Sequence, residues 1–130
     1  MPAFHQGVFG VPGQTVAVLN LGGIANLSLM APAQPLIGFD CGPGNMLMDA
    51  WIQDQRGLAF DAHGDWARSG DCHPVLLASL MSEPYFQRPA PKSTGRDLFH
   101  LDWLRGHLRA QLVHRAVGIR KLDGPTHRVA

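Results

Sequence analysis

Long apolar runs, paired cysteines and a leader-like start are what this sequence has little of, and each shortage removes a class of protein. No run of about 18 apolar residues occurs, so no membrane-spanning helix is expected. The two cysteines, Cys41 and Cys72, stand 31 positions apart, with no Cys-x-x-Cys and no paired histidine spacing. That pattern argues against a disulfide framework and a zinc site, and both are expected as reduced thiols. Met1-Pro2-Ala3-Phe4-His5 has neither a basic nor an apolar leader region, which makes the cytoplasm the expected compartment. A Walker A loop is missing too, because no Gly-x-x-x-x-Gly precedes Lys92-Ser93-Thr94.

What is present is one domain's worth of chain, 130 residues with 45% hydrophobic content and a formal net charge of +1. A chain of this length can bury a core, while 15 glycines and 10 prolines predict many turns. Charge is divided unevenly. Residues 1–104 hold five Lys or Arg against nine acids, a net of −4, and residues 105–130 hold six against Asp123 alone, a net of +5. A basic tail can serve nucleic acid or an anionic membrane. This one has no Phe, Tyr or Trp and its helical pattern fades after Val117, so it reads as a disordered or recently acquired C-terminus. Neither nucleic acid nor membrane is an expected partner.

Periodicity then orders the chain. Residues 1–13 read as an irregular entry with a short helical turn around 4–9. Residues 15–19 form an apolar, β-rich run of the kind covered on both faces of a sheet. A second run at 27–30 follows Asn20-Leu21-Gly22-Gly23-Ile24-Ala25-Asn26, and the pair reads as a β-hairpin with a Gly-Gly turn, the first pair of strands being antiparallel. Residues 36–39 make a third strand. The hairpin tip offers backbone N–H groups in the manner of an anion nest, or is an ordinary turn built from turn-forming residues.

The stretch Asp40-Cys41-Gly42-Pro43-Gly44 is expected to break the strand, with Asn45 as N-cap of a helix over 45–55. Leu47, Met48, Trp51, Ile52 and Leu58 supply its apolar stripe, with Asp49, Gln53 and Arg56 outside it. A helix N-terminus beside a Gly-x-Gly loop suits an anion or a sugar hydroxyl, and equally suits a tight connection with no ligand. Further on, a short helix is expected at 65–68 and an amphipathic helix over 74–83 capped by Asp71. Residues 85–96 read as extended, ending in the cationic, hydroxyl-rich Lys92-Ser93-Thr94-Gly95-Arg96. A last helix is expected over 98–112.

Three of these stretches also carry a family resemblance. Leu19-Asn20-Leu21-Gly22-Gly23-Ile24-Ala25-Asn26-Leu27, then Gly38-Phe39-Asp40-Cys41-Gly42-Pro43-Gly44-Asn45 with Met48-Asp49-Ala50-Trp51, then Pro91-Lys92-Ser93-Thr94-Gly95-Arg96 with Phe99, resemble the anhydro-N-acetylmuramic acid kinases in order and spacing. The resemblance covers residues 2–104. It implies an α/β fold, specifically a fragment of an actin-like ATPase (ribonuclease H-like) domain, with the β-hairpin and third strand followed by helices. It implies a partial kinase domain over 1–104 and leaves 105–130 as an unmatched tail. The activity implied is ATP-dependent opening of the 1,6-anhydro bond with phosphorylation of the 6-oxygen, giving N-acetylmuramate 6-phosphate in cell-wall recycling, with ATP and Mg²⁺ as cofactors.

Carried over residue by residue, the resemblance places Asn20, Gly22, Gly23 and Asn26 at the ATP phosphates. Asp40, Gly42, Gly44 and Asn45 become a cleft loop facing sugar or nucleotide. Lys92, Ser93, Thr94 and Arg96 are weaker candidates, since a cation is more often a solvated surface charge. No catalytic residue and no metal ligand is assigned. The resemblance puts the first phosphate loop and the water-activating aspartate ahead of Pro2, so Asp40, Asp49, Asp61 and Asp65 are not taken as the base and the isolated chain is expected to lack turnover. A non-catalytic or weakly nucleotide-binding remnant, and an interaction module using the basic tail, stand as alternatives.

Overall fold

The structure is a computed structural model that describes residues 2–119, with side chains through residue 112. It is an α/β arrangement: a three-stranded antiparallel sheet in the order β1-β2-β3, preceded by one helix and followed by the others. Strands β1 (Val16–Leu21), β2 (Ile24–Met30) and β3 (Ile37–Pro43) are consecutive in the chain and in the sheet. The expected hairpin is there, turning at Gly22-Gly23, and β2 pairs β3 antiparallel as well.

Helix α1 (Pro2–Phe9) contains the short helical turn expected around 4–9 and extends it back to Pro2. Proline at the first helical position costs no hydrogen bond, and tertiary packing supplies what the weak local pattern did not show. His5, the one buried residue of α1, places Nδ1 2.7 Å from Ser28 Oγ of β2. Pro2 lies so close to Gly38 that a Cβ there would collide with its ring. α1 therefore covers one face of the sheet at its end remote from the hairpin turn.

β3 runs on through Asp40-Cys41-Gly42-Pro43, where a break was expected. The register explains how. Asn26 pairs with Asp40 but Ala25 pairs with Gly42, so Cys41 is the extra residue of a bulge. Gly42 takes φ 152°, open to glycine at little cost, and Pro43 closes an edge strand, where a missing N–H is tolerated. β1 is likewise unlike its expectation: Ala17, Leu19 and Leu21 are exposed, so the strand is not covered on both faces.

Helix α2 (Met46–Arg56) begins one residue past Asn45, whose backbone is already helical and whose side chain makes no capping bond. Ile52 and Met46 are buried, while Met48 and Leu58 of the expected stripe are exposed. The short helix α3 (Asp65–Arg68) follows a 3₁₀ turn, and both Asp61 carboxylate oxygens accept backbone N–H bonds, from Trp66 and Ala67. α4 (Pro74–Met81) is capped by His73, not Asp71: the His73 ring accepts the Leu76 N–H at 3.3 Å. Residues Pro84–Gln87 form a 3₁₀ turn at the start of the segment expected to be extended. α5 (Leu101–Ile119) starts later and runs further than the 98–112 helix expected. Leu98 and Phe99 lie in the turn before it, both N–H groups donating to the Gly95 carbonyl.

That turn feeds the core. Met46, Tyr85 and Phe99 are buried together, with Ile24, Leu47, Phe86, Leu98 and Trp103 packed around them. Phe99 stacks on Phe86 and meets Tyr85 and Trp103 edge-on, the geometries aromatic pairs favour. The core thus ties the start of α2 to the loop 84–99. Arg105, the first cation of the basic segment, pairs with Asp54 and Asp102; residues 120–130 of that segment lie outside the described residues.

Candidate functional site

The hairpin tip and the loop after β3 are built against one another. Gly44 and Met46 N–H groups donate to the Gly23 carbonyl at 2.9 and 3.3 Å, and Asn45 N–H donates to the Gly22 carbonyl at 2.9 Å. The first N–H groups of α2, expected to be free for an anion, are in part satisfied by these two carbonyls. Gly44 is required for that approach, since a Cβ on it would run into the Gly22 carbonyl oxygen. Gly42 is required for another reason: a Cβ there would stand 2.7 Å from Phe86 Cε1. Both glycines of the Gly-x-Gly loop therefore serve backbone and ring packing.

Gly22 and Gly23 differ from them. Neither has a left-handed φ, and a Cβ on either meets nothing closer than 3.8 Å. The turn does not demand glycine there.

A polar row crosses the sheet beside the tip. Asn20 pairs with Asn26, and Asn26 with Asp40, so the three side chains stand on one face, with Cβ atoms about 4.5–5.5 Å apart between neighbours. Ser28 shares that face two residues along β2, and α1 covers the face there but not at the row. Asp40 is fixed at several points. Its Oδ2 accepts the Thr94 N–H at 3.0 Å, its N–H donates to the Lys92 carbonyl at 3.0 Å, and its carbonyl accepts the Tyr85 hydroxyl at 2.7 Å. Segment 92–94 thus lies along the outer edge of β3. Thr94 Oγ1 is buried with no hydrogen-bond partner among the described residues. Such a hydroxyl costs stability unless something else uses it.

Lys92 is spent on structure. Its Nζ donates to the carbonyls of Tyr85 and Phe86 at 3.1 and 3.4 Å and sits 4.7 Å from the Tyr85 ring centroid, a cation–π distance. Ser93 is exposed.

Arg96 goes elsewhere. With Gly23 and Asn45 it lines an open cleft of about 340 Å³ between the hairpin tip, α2 and the turn before α5. Asp49, Gln53 and His100 join them, over a floor that includes Met46, Leu47 and Phe99. Of the expected site residues, Asn20, Asn26 and Asp40 stand together on the sheet with Thr94 at its edge, Gly23, Asn45 and Arg96 meet in the cleft, and Gly22, Gly42, Gly44, Lys92 and Ser93 belong to neither group. Asp49, Gln53 and His100 were not among the expected site residues. Two of them had a signal, because Asn45, Asp49 and Gln53 recur every four residues and so share one face of α2. His100 had none, being a single histidine in a loop. It accepts the Trp103 N–H on Nδ1 at 3.1 Å, which leaves Nε2–H as a donor in the neutral ring.

A polar row on an antiparallel sheet beside a cleft of mixed polar and apolar lining defines an α/β protein equipped to handle a small polar molecule. Comparison with known proteins narrows the class. The anhydro-N-acetylmuramic acid kinase family profile matches residues 1–122, so the chain belongs to that family. Anhydro-N-acetylmuramic acid kinase of Chromobacterium violaceum is 54% identical over 110 residues, 85% of this chain and 30% of that protein. The kinases of that name from Photobacterium profundum and Pseudomonas putida are 52% and 48% identical over 83% and 92% of this chain. The chain spans about a third or less of the length of these relatives, and the match continues past residue 104 into the basic segment.

Proposed function

We propose that this chain supplies part of the phosphoryl-transfer site of an ATP-dependent anhydro-N-acetylmuramic acid kinase, cytoplasmic and actin-like in fold. The reaction is opening of the 1,6-anhydro bond by water with transfer of the γ-phosphoryl group to the 6-oxygen, giving N-acetylmuramate 6-phosphate. The observation that carries the reading is the hairpin with its polar row, in a chain of this family.

Phosphoryl transfer asks a protein chiefly for positioning and for fixed dipoles where charge develops. Asn20 and Asn26 present side-chain amides beside the Gly22-Gly23 turn, and the turn itself leaves room for phosphate oxygens to approach the backbone. Asp40 stands apart from the other acids set aside above. Its Oδ2 is held by the Thr94 N–H, and Oδ1 has no partner among the described residues. A carboxylate anchored in this way can hold the neighbouring amides of the row in place, so we assign Asp40 a positioning role beside the phosphates and not that of the base. Asp61, by contrast, has both oxygens on backbone N–H groups, which hold its carboxyl below the ordinary range. Asp65 pairs with Arg68 at the surface.

Mg²⁺ binds through one or two carboxylates plus nucleotide phosphates and keeps several waters. Among the described residues no group of three or more His, Cys, Asp or Glu is arranged for a metal, and an ion held mainly by nucleotide oxygens needs none. Bound there, it would neutralise phosphate charge.

The test is a chimera in which this chain replaces the stretch it matches in the Chromobacterium violaceum kinase. ATP-dependent formation of N-acetylmuramate 6-phosphate is expected from the chimera, with kcat lower by about 10²-fold in its Asp40→Asn variant, the cost of misplacing reacting groups. An inactive chimera that is folded, or an Asp40→Asn variant with full turnover, would count against the assignment.

A further inference from the structure

We infer that Lys92 is a positioning residue: through a closed ring of hydrogen bonds with Tyr85 and Asp40, its ammonium sets the Asp40 side chain in the polar row without touching a ligand. This rests on the kinase reading above, which places Asp40 beside the phosphates and gives Lys92 no part.

The sheet alone does not orient Asp40. β3 is an edge strand with no neighbouring strand on one side, and the bulge at Cys41 interrupts the ladder directly after Asp40. What fixes the residue comes from two distant stretches. The Lys92 carbonyl accepts the Asp40 N–H and the Thr94 N–H donates to Asp40 Oδ2, both at 3.0 Å, while the Tyr85 hydroxyl donates to the Asp40 carbonyl at 2.7 Å. The Lys92 side chain joins those stretches. Its Nζ donates to the Tyr85 and Phe86 carbonyls at 3.1 and 3.4 Å, so the path from Asp40 through Lys92 and Tyr85 returns to Asp40. In such a ring each bond limits the freedom of the others.

The surroundings of the ammonium mark it as a tie and not a ligand group. A half-buried cation ordinarily needs a carboxylate, yet among the described residues Lys92 makes no ion pair. Its charge is met by two carbonyl dipoles and two aromatic rings, with Nζ 4.7 Å from the centroid of Tyr85 and 5.8 Å from that of Phe39. Phe39 precedes Asp40 on β3, so one ammonium holds the 3₁₀ turn and the strand together. A neutral side chain of similar length would fill the space and leave both carbonyls without that donor.

Two measurements test this, the first of them independent of the kinase reading. In the 130-residue chain, hydrogen exchange followed by NMR is expected to find the Asp40 and Thr94 amides protected. Lys92→Met is expected to speed their exchange by about 10-fold, while the amides of the central strand β2 keep their rates. The second measurement is the kinetics of the chimera, expressed per folded protein from calorimetry on the same preparations. There Lys92→Met is expected to lower kcat by about 10- to 100-fold, the cost of a small misplacement, with KM for ATP unchanged. Because Lys92 acts through Asp40, adding Lys92→Met to Asp40→Asn is expected to lower kcat no further, a non-additivity that a general loss of stability does not produce. Unchanged exchange at Asp40 and Thr94 would overturn the ring, and full additivity in the double variant would overturn the positioning role. So would a raised KM for ATP at unaltered kcat, since the ammonium would then be a phosphate ligand. An active chimera with any of these results leaves the kinase reading standing, whereas a folded chimera without turnover removes that reading and this inference with it, whatever the exchange rates.

Discussion

Four glycines lie within three residues of the hairpin–loop contact, and their backbones separate structural necessity from functional licence. Gly42 and Gly44 are fixed by what a Cβ would strike, Phe86 and the Gly22 carbonyl. Gly22 and Gly23 have space for a methyl group and no left-handed φ, so the fold gives no reason for glycine at either position. A reason remains in the ligand, because a bare backbone permits phosphate oxygens to come close. Gly23→Ala is therefore expected to leave the thermal midpoint nearly unchanged while lowering turnover of the chimera by about 10²- to 10³-fold, the cost of misplacing one donor to developing charge. Gly44→Ala should do the reverse in order of events, losing folded protein first. Calorimetry and kinetics on the same preparations decide it, and a Gly23→Ala chimera with full turnover would reduce the turn to scaffold.

At the scale of elements, the segment from the 3₁₀ turn to residue 94 acts as a clasp on β3, and Tyr85 is its pin. Its ring is 1% exposed, and its hydroxyl donates to the Asp40 carbonyl. Burial pushes the phenol above its ordinary value, and the Asp40 carboxylate adds to the effect. A folded-state value raised above the unfolded one, about 10, means a contribution that is complete below pH about 10 and lost as pH rises through the folded value. Tyr85 is the only tyrosine, so phenolate absorbance reports it alone. That absorbance is expected to rise together with unfolding in alkaline buffer, and Tyr85→Phe should flatten the fall in thermal midpoint above pH about 10. A phenol that titrates at its ordinary value in folded protein would remove the pin.

This clasp shows where the sequence could and could not be read. The hairpin, the third strand and helices near 45–55, 65–68 and 74–83 were legible because turn residues and periodicity are local signals. The bulge at Cys41 was not, since it depends on pairing with Ala25 and Asn26 across the sheet. Of α1 only a turn around 4–9 was legible, and not its docking on the sheet, which comes through His5 and Ser28, 23 residues apart. For the site, motif order picks out stretches that meet at the hairpin tip, the loop after β3 and the outer edge of β3, but only packing shows that Lys92 is bound to carbonyls while Arg96 reaches a cleft. Long-range contacts made that division, and no spacing records them.

For the whole molecule, the balance between core and edge sets the behaviour of the chain. A short chain buries a smaller fraction of its surface than a long one, and here the principal cluster is Met46, Tyr85 and Phe99 with partly buried neighbours. β1 closes one side of the sheet, yet Val16–Leu21 contains no charged residue and no proline, and Leu19 and Leu21 are 55% and 70% exposed. An uncharged edge strand with apolar side chains offers its unpaired backbone groups to any strand that meets it, and natural edges are commonly blunted by lysine. The purified chain is therefore expected to associate as its concentration rises. Leu19→Lys places a charge in the middle of the edge at an exposed position, where substitutions cost about 0.5 kcal/mol or less, so it should keep the chain monomeric without lowering its thermal midpoint. Val75→Lys in α4, at a position 59% exposed and away from the sheet, is the comparison for a mere change in net charge, and a milder effect on association is expected from it. Sedimentation velocity over a wide concentration range reads the outcome directly. If the unsubstituted chain stays monomeric throughout, or Leu19→Lys associates as readily as its parent, the edge is inert and the exposed leucines of β1 have no part in how the molecule behaves in solution.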